Sequence, residues 1–555
     1  MSSPQPSPQD NRNLMIALLL CALIFLGFDY MRIKNAPETT VDTPVETLAE
    51  SGAADVSALA PTAEKAAKAP KSQDISEVAV VETKPIRSAN YDGRVALKGG
   101  RLDMLNLSQY YVDLQDKEEV KLFLPAGEKV FFFEAGWLGE NTQTPNSETT
   151  WKTSTEKLTA AEPMTLTWDN GQGLQFQRTY ILNPDDYTIT VTDGVSNTGT
   201  APQTLTHYAQ LHKGATPEVT KEMEKQSTYT RYVGPEGYLE GKHHEVSYKD
   251  LIKKGPQTFK TREGWVGVSE QYFLGAIVPE QEEMDKYVNY RYTNVRGKDY
   301  FSVEVQGEPV TIPAGEFRET TYTVFAGPKK IELLEKAGAH LDQAVDFGWY
   351  HVIAKMFFDI LMWIYGIVGN LGLAVILMTV LIKLALWPLA AKSYVAMSKM
   401  KKLQPKMAQL KEKHGDDRQA LSVEMMALYR QHKINPASGC WPMMIQIPIF
   451  FAFYKMILIS FEFRHADFGL WIHDLSARDP YFVLPIIMGV TMLIQQKLNP
   501  PPADPVQANV MKMLPIIFTV MFAMFPAGLV LYWTTNSILS VAQQYFVMRR
   551  LGVDV

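Results

Sequence analysis

Residues 371–390 read LGLAVILMTVLIKLALWPLA, an apolar run that carries a single charge at Lys383. About twenty apolar residues let an α-helix cross a hydrocarbon core of about 30 Å, so this run predicts a transmembrane helix. The other apolar stretches are 14–31, 441–460, 482–497 and 513–548. The last would extend about 54 Å as one helix, and Phe525-Pro526-Ala527-Gly528 interrupts it. The sequence therefore predicts a polytopic α-helical membrane bundle with six transmembrane helices.

The composition excludes several classes of protein. The 555 residues include 54 Lys and Arg against 60 Asp and Glu, a net charge of −6. A general nucleic-acid binder would normally be basic, so no direct nucleic-acid site is predicted. The 46% of hydrophobic residues exclude disorder throughout. Two cysteines are too few for a disulfide scaffold or a cysteine-rich metal site.

The stretch between the first and second apolar runs predicts a tether and a large β domain. Residues 31–90 contain no aromatic side chain and are rich in Ala, Pro, Thr and Glu, so they cannot bury a core. Polar and apolar residues then alternate, for example over 174–182, and a turn at 183–186 leads into the next alternating run. Many short strands over about 250 residues predict a large all-β sandwich. His243-His244 is more typical of a surface loop than of a metal site, since no third ligand is nearby.

The segment 346–369 is apolar but amphipathic. His351, Lys355 and Asp359 recur at every fourth position and fall on one helical stripe, which Trp363 continues. A Trp side chain suits the membrane–water boundary. This pattern predicts a helix lying in the interface. A spanning helix whose polar stripe is buried in the bundle is the alternative.

The loop charges predict the orientation in the membrane. Residues 391–440 hold ten basic and four acidic side chains, a net charge of +6, whereas residues 461–481 have a net charge of −2. Because basic loops stay in the cytoplasm, both termini are expected there and the β domain in the periplasm. An interfacial helix at 346–369 fits this orientation, since one more crossing would place the +6 loop outside.

Together these patterns predict the organisation of the chain. The predicted segments are, in order, an N-terminal transmembrane anchor (1–30), a flexible periplasmic tether (31–75), a periplasmic β-sandwich domain ending in a helix (76–345), an interfacial amphipathic helix (346–369), transmembrane helix 2 (370–390), a basic cytoplasmic helical hairpin (391–440), transmembrane helix 3 (441–460), a periplasmic loop (461–481), transmembrane helix 4 (482–497), a cytoplasmic loop (498–512), transmembrane helices 5 and 6 (513–548) and a cytoplasmic tail (549–555).

Lys383 is the first candidate functional residue. A lysine inside a membrane helix costs about 2.5–3.5 kcal/mol at mid-bilayer, and such residues usually face a wet cavity. Snorkelling to the nearby cytoplasmic surface is the alternative. Polar or amphipathic side chains on the same and other spans are candidates to line the same hydrophilic groove: Thr379, Gln446, Thr491, Gln495, Trp533, Thr534 and Asn536. Singly, polar side chains of this kind more often join helices to one another.

The cytoplasmic hairpin is the second candidate. Met400 and Met407 lie on one helical stripe and Met425 lies on another. Lys401 and Lys402 add positive charge. Between the two predicted helices lie a signal that ends the first and an N-cap that begins the second. Asp416 and Asp417 supply that N-cap. Met side chains adapt to varied apolar partners, which favours a role in receiving substrates or targeting factors. Packing of the two helices on each other, with contact to anionic headgroups, is a compatible alternative.

Enzyme signatures are missing from the sequence. It contains no His-Glu-x-x-His, no Gly-x-Ser-x-Gly, and no complete nucleotide-binding loop, since Glu236 stands where that loop needs glycine. We therefore predict no catalytic residue, no cofactor and no metal. A secondary transporter of a small solute is the alternative function, but it would need an internal repeat with paired broken helices. A carbohydrate-binding β-sandwich protein is a third class.

Several motifs resemble one known family. They are Met397-Ser398-Lys399-Met400, Leu403-Gln404-Pro405-Lys406, Gly415-Asp416-Asp417, Glu424-Met425-Met426-Ala427-Leu428-Tyr429, Ile445-Gln446-Ile447-Pro448-Ile449-Phe450, Leu470-Trp471-Ile472-His473-Asp474-Leu475 and Phe525-Pro526-Ala527-Gly528-Leu529. The chain resembles the YidC/Oxa/Alb membrane protein insertases over about 346–548, and the anchor, tether and β domain resemble the gram-negative form.

The resemblance implies an inner-membrane insertase and chaperone that acts alone or with the Sec translocon. It implies a five-helix core around a groove open to cytoplasm and lipid, and a periplasmic β-supersandwich. Partners implied are nascent inner-membrane proteins, the ribosome, components of the signal recognition particle pathway and membrane lipids. The family usually has Arg where Lys383 stands, so the charge is kept but the bidentate geometry is lost. Apolar residues expected to guide the substrate into lipid are Phe450, Phe451, Met492, Phe518 and Phe522.

Overall fold

A computed structural model describes residues 82–552 except 126–128, 141, 230–231, 282–284, 296, 415–416, 433–440 and 500–504. The predicted anchor at 1–30, the tether at 31–75 and Asp416 lie outside the described residues. The described chain divides into two compact units. The β unit comprises 82–374 and 448–477, and the helical unit comprises 375–447 and 478–552.

Two antiparallel sheets form the β unit, which confirms the predicted β-sandwich. The strands are β1 Thr83–Arg87, β2 Tyr91–Ala96, β3 Arg101–Tyr111, β4 Glu119–Phe123, β5 Lys129–Gly139, β6 Met164–Asp169, β7 Leu174–Leu182, β8 Thr188–Asn197, β9 Gln203–Ala215, β10 Gly234–Leu239, β11 Lys242–Glu245, β12 Gln257–Thr261, β13 Gly264–Ser269, β14 Phe273–Pro279, β15 Lys286–Val295, β16 Lys298–Gln306, β17 Val310–Ile312 and β18 Phe317–Pro328.

The helices of the described chain follow the same order. They are α1 Pro217–Tyr229, α2 Tyr248–Lys254, α3 Ile331–Ala337, α4 His351–Val368, α5 Leu371–Ala385, α6 Trp387–Lys402, α7 Gln404–His414, α8 Arg418–Gln431, α9 Trp441–Ile459, α10 Val483–Leu498, α11 Pro505–Phe522 and α12 Ala527–Arg550.

Strand order brings distant parts of the sequence together. One sheet has the order β1-β2-β3-β5-β9-β16-β15-β12, with β4 beside β3 and β17 beside β9. The other has the order β11-β10-β13-β14-β18-β8-β7-β6. Side chains of β7 alternate between buried and more exposed, as the sequence pattern predicts. The core lies between the two sheets, where Phe133 of β5 contacts Tyr322 of β18.

A buried charged network joins the two sheets. Asp193 of β8 accepts a hydrogen bond of 2.6 Å from Arg178 Nε and one of 2.7 Å from the Tyr322 hydroxyl, and it lies 2.8 Å from His207 Nε2 on β9. Arg178 and Asp193 are fully buried. Burial alone would raise the pKa of Asp193, but the charge of Arg178 and the hydrogen bonds from His207 and Arg178 outweigh it and lower that pKa. The carboxylate is therefore charged in the folded β domain.

Replacing Asp193 with Asn is expected to destabilise the β domain by about 3–5 kcal/mol at neutral pH, because it leaves the buried Arg178 cation without its counter-ion. Since the folded-state pKa of Asp193 is lowered, its contribution is present above the unfolded-state pKa and is lost as the pH falls through the folded-state value. The measurement is the urea midpoint of β-domain unfolding in both proteins between pH 7 and pH 2. A difference that stayed constant across that range would contradict the assignment.

His243 and His244 occupy a strand instead of the predicted surface loop. They form β11, which pairs with β10 at the edge of its sheet. His243 Nε2 lies 3.1 Å from an oxygen of the buried Glu236, and that hydrogen bond raises the pKa of His243 against the lowering effect of its burial. The sequence missed this strand because its four residues are all polar, whereas strand prediction depends on apolar alternation.

Residues 460–477 form part of the β unit, which the sequence did not predict. Phe461 packs edge-on against Tyr110 and Phe273, with ring centroids 5.2 and 5.7 Å apart. Arg464 donates to the carbonyl of Tyr111 and stacks over the Phe273 ring. This loop is therefore packed into the β unit although it lies far from the strands in the sequence.

Helix α4 is amphipathic, with Ala354, Phe357 and Leu361 buried. The polar stripe forms local ion pairs, including one of 2.8 Å between Lys355 and Asp359. Apolar side chains elsewhere on the helix are exposed, with Val352 at 83%. By length and composition, α4 is the one helix in the described residues that is long and apolar enough to cross a membrane, and counting the bent pair α5–α6 as one span makes two.

The helical unit contains the sharp bend between α5 and α6. Their axes differ by 67°, and Pro388 lies in the first turn of α6. Proline lacks an N–H and its ring clashes with the preceding turn, so a continuous helix is disfavoured here. The predicted hairpin is divided as well, because Leu403 separates α6 from α7. The Met400 and Met407 stripe thus runs over two helices.

Helices α10, α11 and α12 pack closely together. A Cβ on Gly489 of α10 would lie 2.1 Å from the Thr519 hydroxyl of α11, so only glycine permits this approach. Helix α11 ends at Phe522 and α12 begins at Ala527, across the proline-containing interruption. Helix α11 starts at Pro505, inside the predicted 498–512 loop, because proline at a helix start loses no hydrogen bond there.

Candidate functional site

Lys383 lies in the last turn of α5, one turn before the bend. Its ammonium Nζ donates a hydrogen bond of 2.7 Å to the Ser540 hydroxyl on α12. The hydroxyl in turn donates 2.7 Å to the carbonyl of Asn536. Among the described residues, no carboxylate lies within ion-pair distance of Lys383. The half-buried lysine charge is thus hydrogen-bonded but not neutralised.

A small cavity lies beside Lys383. Its volume is about 30 Å³, enough for one or two water molecules. The residues that line it come from both sides of the bend and from α9: Lys383, Leu386, Leu389, Ala390, Tyr394, Ile445 and Gln446. Gln446 donates a hydrogen bond of 2.7 Å to the Tyr532 hydroxyl of α12. The structure therefore brings two of the predicted groove residues, Lys383 and Gln446, to one small cavity whose other walls are mostly apolar.

Three predicted groove threonines use their hydroxyls on helix backbones. Thr379 bonds to the Val375 carbonyl and Thr491 to the Met488 carbonyl, each at 2.7 Å. Thr534 reaches the Leu484 carbonyl at 3.3 Å. Thr379 and Thr491 thus bond within their own helix, whereas Thr534 of α12 bonds to α10, and none of the three lines the cavity.

The other predicted groove residues differ in their surroundings. Asn536 is buried one turn from Ser540 and supplies the carbonyl described above. The Trp533 ring lies against Phe522, with centroids 5.3 Å apart. Gln495 is half-buried on α10. None of the three lines the cavity beside Lys383.

The residues predicted to guide apolar segments fall in both units. In the helical unit, Phe518 and Phe522 have ring centroids 6.2 Å apart, and Met492 is half-buried on α10. In the β unit, the Phe450 and Phe451 rings lie 5.5 Å apart. Each unit therefore holds its own aromatic cluster.

The hairpin helices α7 and α8 pack on each other. The Tyr429 hydroxyl contacts the Met407 sulfur at 3.6 Å, and Lys413 and His414 pair with Glu424. Asp417 caps α8 by accepting hydrogen bonds from the next backbone amides. Met400, Lys401 and Met425 are half-buried, whereas Lys402 is exposed and bonds to the carbonyl of Leu551. The predicted Met residues thus serve partly in mutual packing.

Sequence reasoning missed several residues of both sites. On the hairpin it missed Val423 and Met426, two large apolar side chains that are 66% and 46% exposed. Around Lys383 it missed Ser540, Tyr532 and Tyr394. Asn536, Ser540 and Gln543 share one face of α12 at helical spacing, and this polar stripe in an apolar span was the available signal. In the described part of the chain, no group of three His, Cys, Asp or Glu could hold a metal.

Comparison with known proteins is decisive about the family. A family model described as 60Kd inner membrane protein matches residues 363–553, and one described as YidC periplasmic domain matches residues 84–360. The Membrane protein insertase YidC of Magnetococcus marinus is 36% identical over 562 residues, which cover 98% of this chain and 99% of that protein. This chain belongs to the YidC family of membrane protein insertases.

A second curated relative agrees with this assignment. The Membrane protein insertase YidC of Granulibacter bethesdensis is 37% identical, over 98% of each chain. A solved structure, an active YidC insertase with its first transmembrane domain resolved, aligns over 84% of this chain and 95% of its own at 19% identity and a TM-score of 0.37. Residues 84–360 of this YidC-family chain match the family's periplasmic domain, and membership makes the chain a membrane protein.

Proposed function

We propose that this chain inserts newly made inner-membrane proteins and helps them fold, through a positively charged hydrophilic groove centred on Lys383. The supporting observation is that the Lys383 ammonium lies beside a small cavity, which Gln446 and Tyr394 also line, without a neutralising carboxylate among the described residues. A cation in a low-dielectric setting attracts an acidic group strongly. The translocated tail of a substrate would therefore gain at this point part of the free energy lost on leaving water.

The groove lowers the free-energy cost of moving the substrate's tail across the bilayer, and this step needs no nucleotide. Helix α10 has sixteen residues, about 24 Å at ~1.5 Å per residue, which is short for a core of about 30 Å. Short spans thin the bilayer around them, so the dry path of the tail is reduced. Burial of the substrate's apolar segment in lipid then drives the step.

The proposed arrangement has six crossings, with both termini in the cytoplasm and the β domain in the periplasm. It follows from the net charge of +6 on 391–440 against −2 on 461–481. Helix α4 is proposed to lie in the membrane interface, with its exposed apolar side chains in contact with lipid and its ion-paired stripe near water.

Four kinds of partner fit this function. Nascent inner-membrane proteins are the substrates, and membrane lipids contact the exposed apolar helices. The basic hairpin, with exposed Val423 and Met426, suits the ribosome and the signal recognition particle pathway. Cooperation with the Sec translocon would extend the same activity to larger substrates.

Photo-crosslinking tests this function. A photoreactive amino acid is placed at Leu389 or Ile445, which line the cavity, and at Ile181, which is exposed on β7 as a matched control. A ribosome-stalled nascent membrane protein is expected to crosslink from the two cavity positions and not from Ile181. Absence of crosslinks at the cavity positions, with uptake of a small solute instead, would favour the transporter.

A further inference from the structure

The side chain of Lys383 points toward helix α12, although a lysine at this position could instead extend toward water. A lysine in the last turn of a membrane helix can extend its four methylenes toward the headgroups and keep its ammonium in water. Here the ammonium instead reaches across to α12 and bonds to Ser540, which is 6% exposed.

Ser540 is suited to this contact by its own hydrogen bonds. A serine hydroxyl has one proton to donate and two lone pairs to accept with. The proton of Ser540 goes to the Asn536 carbonyl, so the lone pairs face an incoming donor such as the ammonium. Gln543, one turn further along the same face, donates 3.4 Å to the backbone carbonyl of Lys383. The same helix face thus contacts both the side chain and the backbone of Lys383.

We propose that Ser540 is a positioning residue that keeps the Lys383 ammonium at the cavity and uncompensated, so that an acidic substrate tail can replace Ser540 as its partner. This inference rests on the proposed function of Lys383. A hydroxyl is a neutral acceptor, so it holds the ammonium without cancelling its charge. A carboxylate at the same position would form an ion pair and remove the attraction for the tail.

The test uses the full-length protein in proteoliposomes and two single-span substrates that differ only in tail residues, Asp and Glu in one and Asn and Gln in the other. Protease protection measures insertion, and the tail preference is the acidic-tail yield divided by the neutral-tail yield. This ratio reports on Lys383 and is insensitive to a general loss of folded protein.

Ser540→Ala is expected to lower the tail preference by about threefold to tenfold, the range for losing one typical hydrogen bond. Ser540→Thr keeps the hydroxyl and should restore the preference. Ser540→Asp should lower it as far as Lys383→Ala does, because it neutralises the ammonium. In a Lys383→Ala background, Ser540→Ala should cause no further change.

Ser398→Ala is the matched control. Ser398 is also buried and also donates 2.7 Å to the carbonyl four residues earlier, but among the described residues its hydroxyl forms no hydrogen bond with a lysine side chain. It should keep the wild-type tail preference.

The outcomes distinguish failure of the Ser540 proposal from failure of the proposed role of Lys383 in insertion. If Lys383→Ala loses the preference while Ser540→Ala and Ser540→Asp keep it, the positioning role is wrong and the groove charge stands. If Lys383→Ala keeps the preference, both are wrong. Equal losses for acidic and neutral tails in Ser540→Ala would show a purely structural serine and would overturn the inference.

Discussion

Lys383→Ala is expected to reduce insertion of substrates with acidic tails by about tenfold or more. Two opposite charges 4 Å apart contribute about 4 kcal/mol at the effective dielectric constant of a protein surface, and tenfold corresponds to about 1.4 kcal/mol. Lys383→Arg should be tolerated, because it keeps the charge and binds carboxylates at least as well. Lys383→Glu should be more harmful than Lys383→Ala, because it repels the same tail.

Insertion of a matched pair of substrates, differing only in the Asp and Glu content of the tail, measures this effect. Neutral tails should suffer less, since burial of their apolar segment alone drives insertion. Lys497, exposed on α10, provides a control lysine whose replacement by Ala should leave both yields unchanged. Wild-type activity of Lys383→Ala on both tails would remove the groove charge from the mechanism.

Deleting the hairpin helices is expected to nearly abolish insertion while the rest of the helical unit still folds. The deletion covers 404–431, the residues of α7 and α8 with their connection, and is closed with a short Gly-Ser linker. The physical reason is that this basic, apolar surface would receive substrates or targeting factors before the groove does. Full insertion by a stably expressed deletion would contradict this role.

A double substitution on α8 makes the hairpin prediction more specific. Val423→Gln combined with Met426→Gln removes two exposed apolar side chains of α8, each able to contribute about 1.5–3 kcal/mol when fully buried by a partner. Insertion should fall by roughly tenfold. Ala408→Gln, at an exposed position of α7, should leave insertion intact. If Ala408→Gln lost as much insertion as the double variant, the hairpin itself would be damaged and the loss could not be assigned to a contact surface.

The candidate site was only partly accessible to sequence reasoning. Lys383 was identified from its cost in an apolar run, and Gln446 proved to share its cavity. Thr379 and Thr534 looked equivalent to Gln446 in sequence, yet their hydroxyls bond to helix carbonyls. Whether a buried hydroxyl faces its own helix or a cavity depends on its rotamer and its neighbours, which residue type does not reveal.

Local patterns determined the broad architecture. The apolar run 371–390 and the alternation over 174–182 predicted membrane helices and a β-sandwich, because hydrophobic periodicity is a property of neighbouring residues. The tertiary structure alone decided the partners of individual charges. Ser540 lies 157 positions from Lys383, and Tyr111 lies 353 positions from Arg464. Such pairs form only when separate helices and strands pack, and short-range hydropathy carries no record of that packing.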